Sequence, residues 1–255
     1  AGRRLRIHVK ADTGMSRLGW LCDEGHRTEA ADAIAAVCAL PGLEVEGIYT
    51  HFANADGDEA YTMGQFTRFL ELLSELEGRG ITFPIRHCAA SAAVLKYPCT
   101  HLDMVRPGVA LYGHYPDPSC EGLDGVGLRP VMALKTRVAS VKAVPAGTPV
   151  SYGCTHVLER DAELAALTVG YADGLPRLCS DRLEVLIRGQ RAPIVGRVCM
   201  DMCMADATGL GAAPGDEVEL FGEHLPVEDT AALAGTIQYE LLCAVSPRVP
   251  REYLN

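Results

Sequence analysis

The segment "RLRIHVKADTGMSRLGW" (residues 4–20) decides how the first part of the chain folds. Its first half alternates leucine, isoleucine and valine with polar residues, and this period of two predicts a β-strand. The Asp-Thr-Gly sequence that follows predicts a tight turn, because glycine permits a sharp turn and the other two side chains bond the nearby backbone. We therefore expect Lys10 near the C-terminal end of a strand and Arg17 on the loop beyond it.

Lys10 and Arg17 are candidate site residues because of where this strand would end. In α/β barrels the catalytic groups lie at the C-terminal ends of the strands and on the loops that follow. The alternative is a surface turn that carries solvated charges, and this segment alone does not exclude it.

The composition narrows the class of protein. The chain has 255 residues, enough for one large or two ordinary domains, and a formal net charge of −10. An excess of negative charge argues against a nucleic acid or an anionic membrane as a partner. No apolar run approaches the roughly 18 residues of a membrane-spanning helix, so no membrane segment is expected.

The ten cysteines are scattered without a CxxC pair. Cys199 and Cys203 have a CxxxC spacing, but no histidine stands at the spacing of a zinc ligand. Free thiols in a reducing compartment explain this usage, and no signal peptide is recognised. We therefore expect a cytoplasmic protein without a metal site.

The pattern of apolar residues changes along the chain. Residues 1–118 alternate strand and helix patterns, with four strands in all, which predicts an α/β domain with a parallel sheet. The last of these strands is predicted in "LDMVRPG" (residues 102–108). The longest helix there carries apolar residues at intervals of three and four: Met63, Phe66, Phe69, Leu70, Leu73 and Leu76. Residues 119–255 contain short β runs, a hairpin turn at residues 188–190 and one late helix, which predicts a mainly antiparallel β domain.

Four parallel strands are too few to close a barrel, since the small closed form has about eight. An open half-barrel would expose an edge strand and an uncovered core. We therefore expect the first domain to be the second half of a (β/α)8 barrel, with the upstream half missing from this chain.

Seven motifs, in order along the chain, resemble the alanine racemase family. Members of this family are enzymes that use pyridoxal 5'-phosphate (PLP) and are built from an α/β barrel and a C-terminal β domain. The resemblance covers essentially all 255 residues and starts at what looks like the fifth barrel strand, so it implies the C-terminal two-thirds of a family member. The motifs are "HVKADTGMSRLGW", "GIYTHFANAD", "DMVRPGVALYG", "PVSYG", "VGYADGLPR", "IVGRVCMDMCM" and "TIQYELLCAVSPRVPREY".

The resemblance gives the opening segment a role. Arg17 resembles the arginine that binds the substrate carboxylate, a group that arginine can grip with two hydrogen bonds. Lys10 resembles a lysine that is often carbamylated, which turns a cation into an anion that orients the arginine. Ser16 stands where glycine is commoner. An unmodified Lys10 would repel Arg17, so this device or a nearby carboxylate is needed.

Arg106 in "MVRPG" resembles the arginine that faces the pyridine nitrogen of PLP. Arginine does not release its proton at physiological pH, so that nitrogen would stay unprotonated. The cofactor would then be a weaker electron sink, which favours reprotonation of the substrate over transamination. Without the surrounding motifs, Arg106 would be interpreted as a cap of the next helix.

Four residues resemble the positions that hold the cofactor phosphate. Ser91, Gly108 and Val109 match groups at loop and helix starts, where backbone N–H groups bind phosphate well. Tyr239 matches a phosphate-binding phenol. Ala90 stands where asparagine is usual, so one polar contact near the ring departs from the family pattern.

Tyr152 in "VSYG" resembles the second catalytic base, which acts from the partner subunit. A free phenol, with a pKa near 10, is a poor base at neutral pH. His51 resembles the histidine that bonds this tyrosine and is backed in turn by Arg106. By itself His51 would be interpreted as a structural residue at a strand end.

The remaining roles that the resemblance implies lie near the substrate entrance. Met200 and Asp201 resemble partner-subunit residues that line the carboxylate end of the substrate. Tyr171 resembles a gate residue of the entry channel, and Arg177 resembles one that pairs with an acidic group there. The family pattern thus implies a homodimer with shared active sites.

A PLP racemase also needs a lysine that binds the cofactor covalently and serves as the other base. None of the four lysines here (Lys10, Lys96, Lys135 and Lys142) lies in the family's motif for it. We therefore expect that lysine upstream of this chain, and we expect the chain alone to be inactive.

The function that the resemblance implies is interconversion of L-alanine and D-alanine by two bases, supplying D-alanine for peptidoglycan. A serine or broad-specificity racemase, including a vancomycin-resistance-type racemase domain, is an alternative. A non-catalytic PLP-binding homologue is another, although it would need neither Tyr152 nor His51. An unrelated barrel hydrolase would need a carboxylate pair or a metal cluster at the strand ends, which the sequence does not show.

Overall fold

The computed structural model describes residues 4–125 and 127–254. The chain divides into two compact units, Ala1–Arg129 and Pro130–Asn255. The stretch just after residue 118 packs with the first unit, because buried Cys120 joins a small apolar cluster with Ala92 and Leu95. The division after residue 118 stays a prediction about the domains. Within the described residues no helix is both long and apolar enough to cross a membrane.

The first unit contains a parallel sheet of four strands, flanked by helices. The strands lie in the order β2-β1-β3-β4, and each neighbouring pair is parallel. The elements are β1 (Leu5–Asp12), β2 (Trp20–Leu21), α1 (Arg27–Cys38), β3 (Leu43–Tyr49), α2 (Glu59–Gly78), β4 (Ile85–His87) and α3 (Ser91–Lys96).

The predicted strand around Arg106 is not formed. Arg106 makes a single parallel bridge with Ala90, and its N–H donates to the carbonyl oxygen of Ala89 at 2.9 Å. The next residue is Pro107, which has no N–H to continue a ladder. The fourth strand of the sheet is instead the short β2, whose two residues pair with the end of β1.

Helix α2 buries a slightly different face from the one predicted. Phe66, Phe69, Leu72 and Leu76 are buried against the sheet, whereas Leu70 is 41% exposed. Successive helical residues are rotated by about 100°, so Leu70 is turned a quarter of a circle away from Phe69. The helix begins where the Asp58 side chain accepts a hydrogen bond from the Tyr61 N–H, as a helix cap does.

The second unit is built on antiparallel strands. A six-stranded sheet has the order β10-β9-β12-β5-β8-β11, and β6 and β7 form a separate ribbon. The predicted hairpin joins β9 to β10, with Arg188 and Gly189 both at positive φ. The predicted late helix is two helices, because Gly235 in the left-handed region ends the first. The elements are β5 (Leu134–Val144), β6 (Pro149–Val150), β7 (His156–Val157), β8 (Ala162–Leu167), β9 (Glu184–Ile187), β10 (Gln190–Pro193), β11 (Cys203–Asp206), β12 (Glu217–Phe221), α4 (Val227–Ala234) and α5 (Gln238–Ala244).

The two leucines of α2 give a direct test of this packing. Leu72→Ala is expected to lower the free energy of unfolding by about 2–5 kcal/mol, because it removes a fully buried side chain and leaves a cavity. Leu70→Ala is the matched control and should change it by less than about 0.5 kcal/mol. Urea unfolding followed by circular dichroism measures both, and equal losses would contradict the assigned face.

Candidate active site

Three side chains of the first unit form a row at the C-terminal edge of the sheet. Lys10 is in register with Tyr49 on the neighbouring strand, and Tyr49 is in register with His87 on the next. The Tyr49 and His87 rings stack with their centroids 4.9 Å apart and their planes 3° from parallel. The predicted position of Lys10 near the end of its strand is thus observed.

Arg106 lies against this row. Among the described residues it donates to four acceptor atoms, and all four are neutral. Its Nη1 bonds Nδ1 of His87. Its Nη2 donates to Thr50 O at 3.1 Å, His51 Nδ1 at 3.2 Å and Cys88 O at 3.3 Å. Burial lowers the pKa of this guanidinium, since desolvation disfavours the charge. Nη1 makes one of the four bonds and Nη2 makes three, so the N–H of Nε and the second N–H of Nη1 take part in none of them.

His51 and His87 are both held neutral by their surroundings. Burial lowers the pKa of His87 from 6.5 to about 4, with further lowering by the Arg106 charge and by His8. Burial lowers the pKa of His51 too, helped by the charges of Arg106, Arg17 and Lys10. Because the Nδ1 of each ring accepts from Arg106, the proton of each neutral ring lies on Nε2. His51 therefore presents an N–H donor on the side away from the arginine.

Asp12 organises the turn that follows β1. Its Oδ1 accepts hydrogen bonds from the backbone N–H groups of Gly14 at 3.1 Å, Met15 at 2.9 Å and Ser16 at 2.9 Å. Burial acts to raise the pKa of Asp12, but these bonds outweigh it, and the pKa lies below its usual value. Ser16, where the family has glycine more often, adopts a positive φ of 58°. The turn that the sequence predicts is thus closed by the aspartate.

Lys10 faces this turn from inside the sheet. Its side chain is buried, and Nζ donates to the carbonyl oxygen of Leu18 at 2.5 Å. Burial lowers the pKa of Lys10; Asp12 opposes this effect, whereas the Arg17 and Arg106 charges add to it. Arg17 itself is exposed. The expected repulsion between Lys10 and Arg17 is therefore present in the unmodified chain, and Asp12 is the nearby carboxylate that offsets part of it.

The predicted phosphate residues of the first unit come together at the start of α3. Buried Ser91 is the first residue of that helix, and its Oγ accepts from the N–H of Gly108 at 2.8 Å and of Ala110 at 3.3 Å. Val109 begins the short 3-10 turn Val109–Tyr112. Two segments that are distant in sequence are thus tied together by one hydroxyl group.

In the second unit, Tyr152, Met200 and Asp201 line one depression. Its volume is about 460 Å³, and Ser151, Cys199, Met202 and Met204 complete the lining. The Tyr152 side chain is 72% exposed. Tyr152 therefore shares one surface of this unit with Met200 and Asp201, an adjacent pair that is distant from it in sequence.

The backbone beside Tyr152 is held in an unusual conformation. Ser151 has a φ of 64°, and its Oγ donates to the carbonyl oxygen of Arg197 at 2.7 Å. A Cβ on Gly196 would lie 2.8 Å from the Cβ of Ser151, so only glycine fits there. Residues in this region of φ cost about 1–3 kcal/mol and persist where the surroundings impose them.

Tyr171 is placed on the same unit by backbone bonds to the "CMD" loop. Its N–H donates to Cys199 O at 3.0 Å, and the N–H of Ala172 donates to Met200 O at 3.0 Å. Gly170 packs so closely on this loop that an added Cβ would lie 2.3 Å from Met200 O. Backbone contacts therefore join the segment of the predicted gate residue Tyr171 to the segment of the predicted substrate residues Met200 and Asp201.

Arg248 is a residue of this region that sequence reasoning missed. Its Nε donates to Asp173 at 2.8 Å and its Nη2 donates to Asp201 at 2.5 Å. The two carboxylates raise the pKa of Arg248. The arginine stands in the "SPRVPREY" tail, which matches the family, but nothing in its spacing connects it to either aspartate.

The contacts described so far do not test the roles predicted for two other residues of the second unit, Arg177 and Tyr239. Arg177 is exposed at the start of the 3-10 turn Arg177–Cys179, and its predicted acidic partner is not found among the described residues of its unit. Tyr239 is the second residue of α5. Their predicted roles stay predictions.

The chain has a parallel α/β unit, with polar groups at one edge of its sheet, and then an antiparallel β unit. This order is typical of a two-domain α/β enzyme. The sequence models of the alanine racemase N-terminal and C-terminal domains match residues 1–116 and 131–253. The chain belongs to the alanine racemase family.

Individual relatives agree with this assignment. Alanine racemase of Desulforamulus reducens is 51% identical over 100% of this chain and 68% of its own length. Alanine racemase of Desulfovibrio desulfuricans is 48% identical over 100% of this chain and 67% of its own. The crystal structure of alanine racemase from Streptomyces lavendulae has a TM-score of 0.91 and 40% identity, covering 100% of this chain and 67% of that one.

The domain matches correct one expectation. Counting four strands against eight led us to expect only the second half of the barrel and the C-terminal two-thirds of a family member. The N-terminal domain model matches from residue 1, so the barrel domain and the β domain are both represented. Nothing in the comparisons supports the expectation that the chain is an inactive fragment.

The neutral state of His87 predicts how stability depends on pH. Its pKa of about 4 in the folded protein lies below the ordinary 6.5, so between these values the unfolded chain binds a proton that the folded chain does not. Stability should therefore fall as the pH drops through this window. His87→Gln should reduce the slope of urea midpoint against pH there, and His101→Gln is the control. An unchanged slope would show that His87 does not carry a lowered pKa.

Proposed function

We propose that this protein interconverts L-alanine and D-alanine with PLP as cofactor. The observation that carries the proposal is Arg106, a partly buried guanidinium at the C-terminal edge of the sheet whose four recorded acceptors are neutral. A permanent cation with this environment suits a ring nitrogen that must stay unprotonated. The relatives named alanine racemase support the same reaction.

The residues of the first unit fit the cofactor. Ser91 Oγ accepts two N–H bonds, so its lone pairs are used and its own hydrogen is left to donate to a phosphate oxygen. At Gly108 an added Cβ would meet Ser91 Oγ at 3.8 Å, an ordinary contact, so there is room beside the backbone. We assign Ser91, Gly108, Val109 and Tyr239 to the phosphate and Arg106 to the pyridine ring.

When bound, PLP withdraws electrons from the substrate and makes the hydrogen on its Cα acidic. Arg106 is proposed to turn its Nε–H toward the ring nitrogen, while His87, His51 and two carbonyl groups hold its terminal nitrogens. A ring nitrogen that accepts a hydrogen bond from a permanent donor is not itself protonated. The cofactor is then a weaker electron sink, which favours return of the proton to the substrate Cα over return to another atom.

Tyr152 and His51 are proposed to move that proton on one face of the substrate. Tyr152 would accept and return it through the phenol oxygen. The Nε2–H of His51 can donate to that oxygen, because its Nδ1 already accepts from Arg106. Such a bond stabilises the phenolate form and makes the tyrosine a better base.

The substrate carboxylate is assigned to Arg17, with Met200 and Asp201 lining the same end and Tyr171 at the gate. The bonds that join Tyr171 to the Met200 segment support this grouping within the second unit. Arg248 fixes the orientation of Asp201 through its hydrogen bond.

The covalent lysine is proposed to be none of the four in this chain. Lys10 bonds Leu18 O, Lys96 bonds Asp56 O and Ser119, and Lys135 bonds Glu217. Borohydride reduction after PLP addition, followed by peptide mapping, should find no specific adduct on Lys10, Lys96, Lys135 or Lys142. A specific adduct on any of them together with racemisation would overturn this assignment.

A homodimer with shared sites, located in the cytoplasm, completes the proposal. Exposed Tyr152 would serve the site of the partner subunit. All ten cysteines are free thiols, which suits a reducing compartment. The use of D-alanine in peptidoglycan is inferred from the family resemblance.

Mixed dimers test both the reaction and the sharing of sites. Arg17→Ala and Tyr152→Phe should each abolish conversion of L-alanine to D-alanine. If each site takes Arg17 from one subunit and Tyr152 from the other, random mixing should restore about one quarter of the activity, because half the dimers have one intact site. No recovery would show that the two residues act in the same subunit, and faster conversion of serine than alanine would favour the serine racemase.

Carbamylation of Lys10 can be tested separately. The neutral amine of a lysine adds to carbon dioxide and releases a proton, and the lowered pKa of Lys10 increases its neutral fraction. Protein equilibrated with ¹³C-bicarbonate should show one carbamate resonance that disappears in Lys10→Arg. Lys135, whose pKa is raised by Glu217, is the internal control. A resonance that survives Lys10→Arg would place the modification elsewhere.

A further inference from the structure

A chain of hydrogen bonds leads from Arg106 across the sheet. His87 lies between Arg106 and His8: its Nδ1 bonds the arginine, and its Nε2 lies 2.7 Å from Nδ1 of His8. Nε2 of His8 lies 3.5 Å from Oε2 of Glu46, whose Oε1 accepts from Arg6 at 3.1 Å. This series of hydrogen bonds thus runs from Arg106 at the site edge to His87 on β4, His8 on β1 and Glu46 on β3.

Arg106 at one end of this hydrogen-bond series and Glu46 at the other determine which atom donates in each bond. An arginine can only donate, so Nδ1 of His87 must accept and carries no proton. The proton of neutral His87 then lies on Nε2 and must be donated to Nδ1 of His8. Consequently the proton of neutral His8 lies on its own Nε2, which faces the Glu46 carboxylate. Each group in the series therefore donates its hydrogen bond in the direction away from Arg106.

We propose that His8 is a positioning residue for Arg106 and acts through His87. This inference rests on the proposed function, since Arg106 is the residue assigned to the cofactor ring. A buried donor without an acceptor costs about 1–3 kcal/mol, so His87 keeps Nδ1 toward Arg106 only while His8 accepts its other proton. The strand position of His8, two residues before Lys10, had not marked it as a site residue.

The other polar and aromatic groups around His87 do not offer this acceptor. Tyr49 meets the flat face of the His87 ring, where it cannot accept the in-plane Nε2–H. His51 accepts from Arg106 rather than from His87. Lys10, which carries only donors, bonds Leu18 O. On the far side, Arg6 and Glu46 face His8 and not His87.

Nuclear magnetic resonance of the ring nitrogens tests this directly in the 255-residue chain without cofactor. With ¹⁵N-labelled histidine, His87 should show an unprotonated Nδ1 and a protonated Nε2 near pH 8. His87→Gln assigns the signals.

Substitution of His8 separates positioning from a merely structural role. In His8→Gln the amide oxygen still accepts, so His87 should keep its pattern at pH 8. In His8→Leu the acceptor is gone, and the pattern should be lost at the same pH. His101, whose Nε2 bonds Val94 O at 3.0 Å away from this chain, gives the control His101→Gln.

Three results would overturn the proposal. The first is a protonated Nδ1 on His87 in the unmodified chain. The second is a His87 pattern in His8→Leu that equals that of the unmodified chain. The third applies even if His8→Leu does not fold: loss of the His87 pattern in His8→Gln, where the amide oxygen still accepts. Since cofactor and substrate are absent, a failure here is distinct from a failure to racemise alanine.

Discussion

The candidate site depends on one requirement, which is to hold the charge of Arg106 partly buried without a carboxylate. Two imidazole nitrogens and two carbonyl oxygens meet its terminal nitrogens. An acidic partner would bind this arginine more strongly, but it would also neutralise the field that acts on a neighbouring group. Neutral acceptors orient the guanidinium and leave its full charge available.

That requirement explains why histidine recurs at this edge of the sheet. Only a neutral imidazole offers an unprotonated nitrogen and an N–H on opposite sides of a rigid ring. His87 uses these two sides to join Arg106 to His8, and His51 accepts from Arg106 with its Nδ1. The parallel register that aligns Lys10, Tyr49 and His87 places these rings side by side. The sheet therefore acts as the frame on which one cation is held.

How much could be predicted from the sequence differs between local and distant features. The strand before Lys10, the turn closed by Asp12 and the hairpin at residues 188–190 follow from short patterns, and the structure has all three. The bonds of Arg106 to His87 and of Arg248 to Asp201 join residues far apart in the chain, and no periodicity encodes them. The absent strand at Arg106 was mispredicted because proline ended a ladder that its apolar neighbours favoured.

Arg248 has a consequence for how the tail of the chain can be altered. The arginine holds Asp173 and Asp201 in place from a segment within the last ten residues, while Arg251 bonds three backbone carbonyl groups nearby. A protease cut that removed these residues would release Asp173 and Asp201, and with them the segments of Tyr171 and Met200. Residues 245–251 are thus needed to hold these two segments, although none of them is assigned to the substrate or the cofactor.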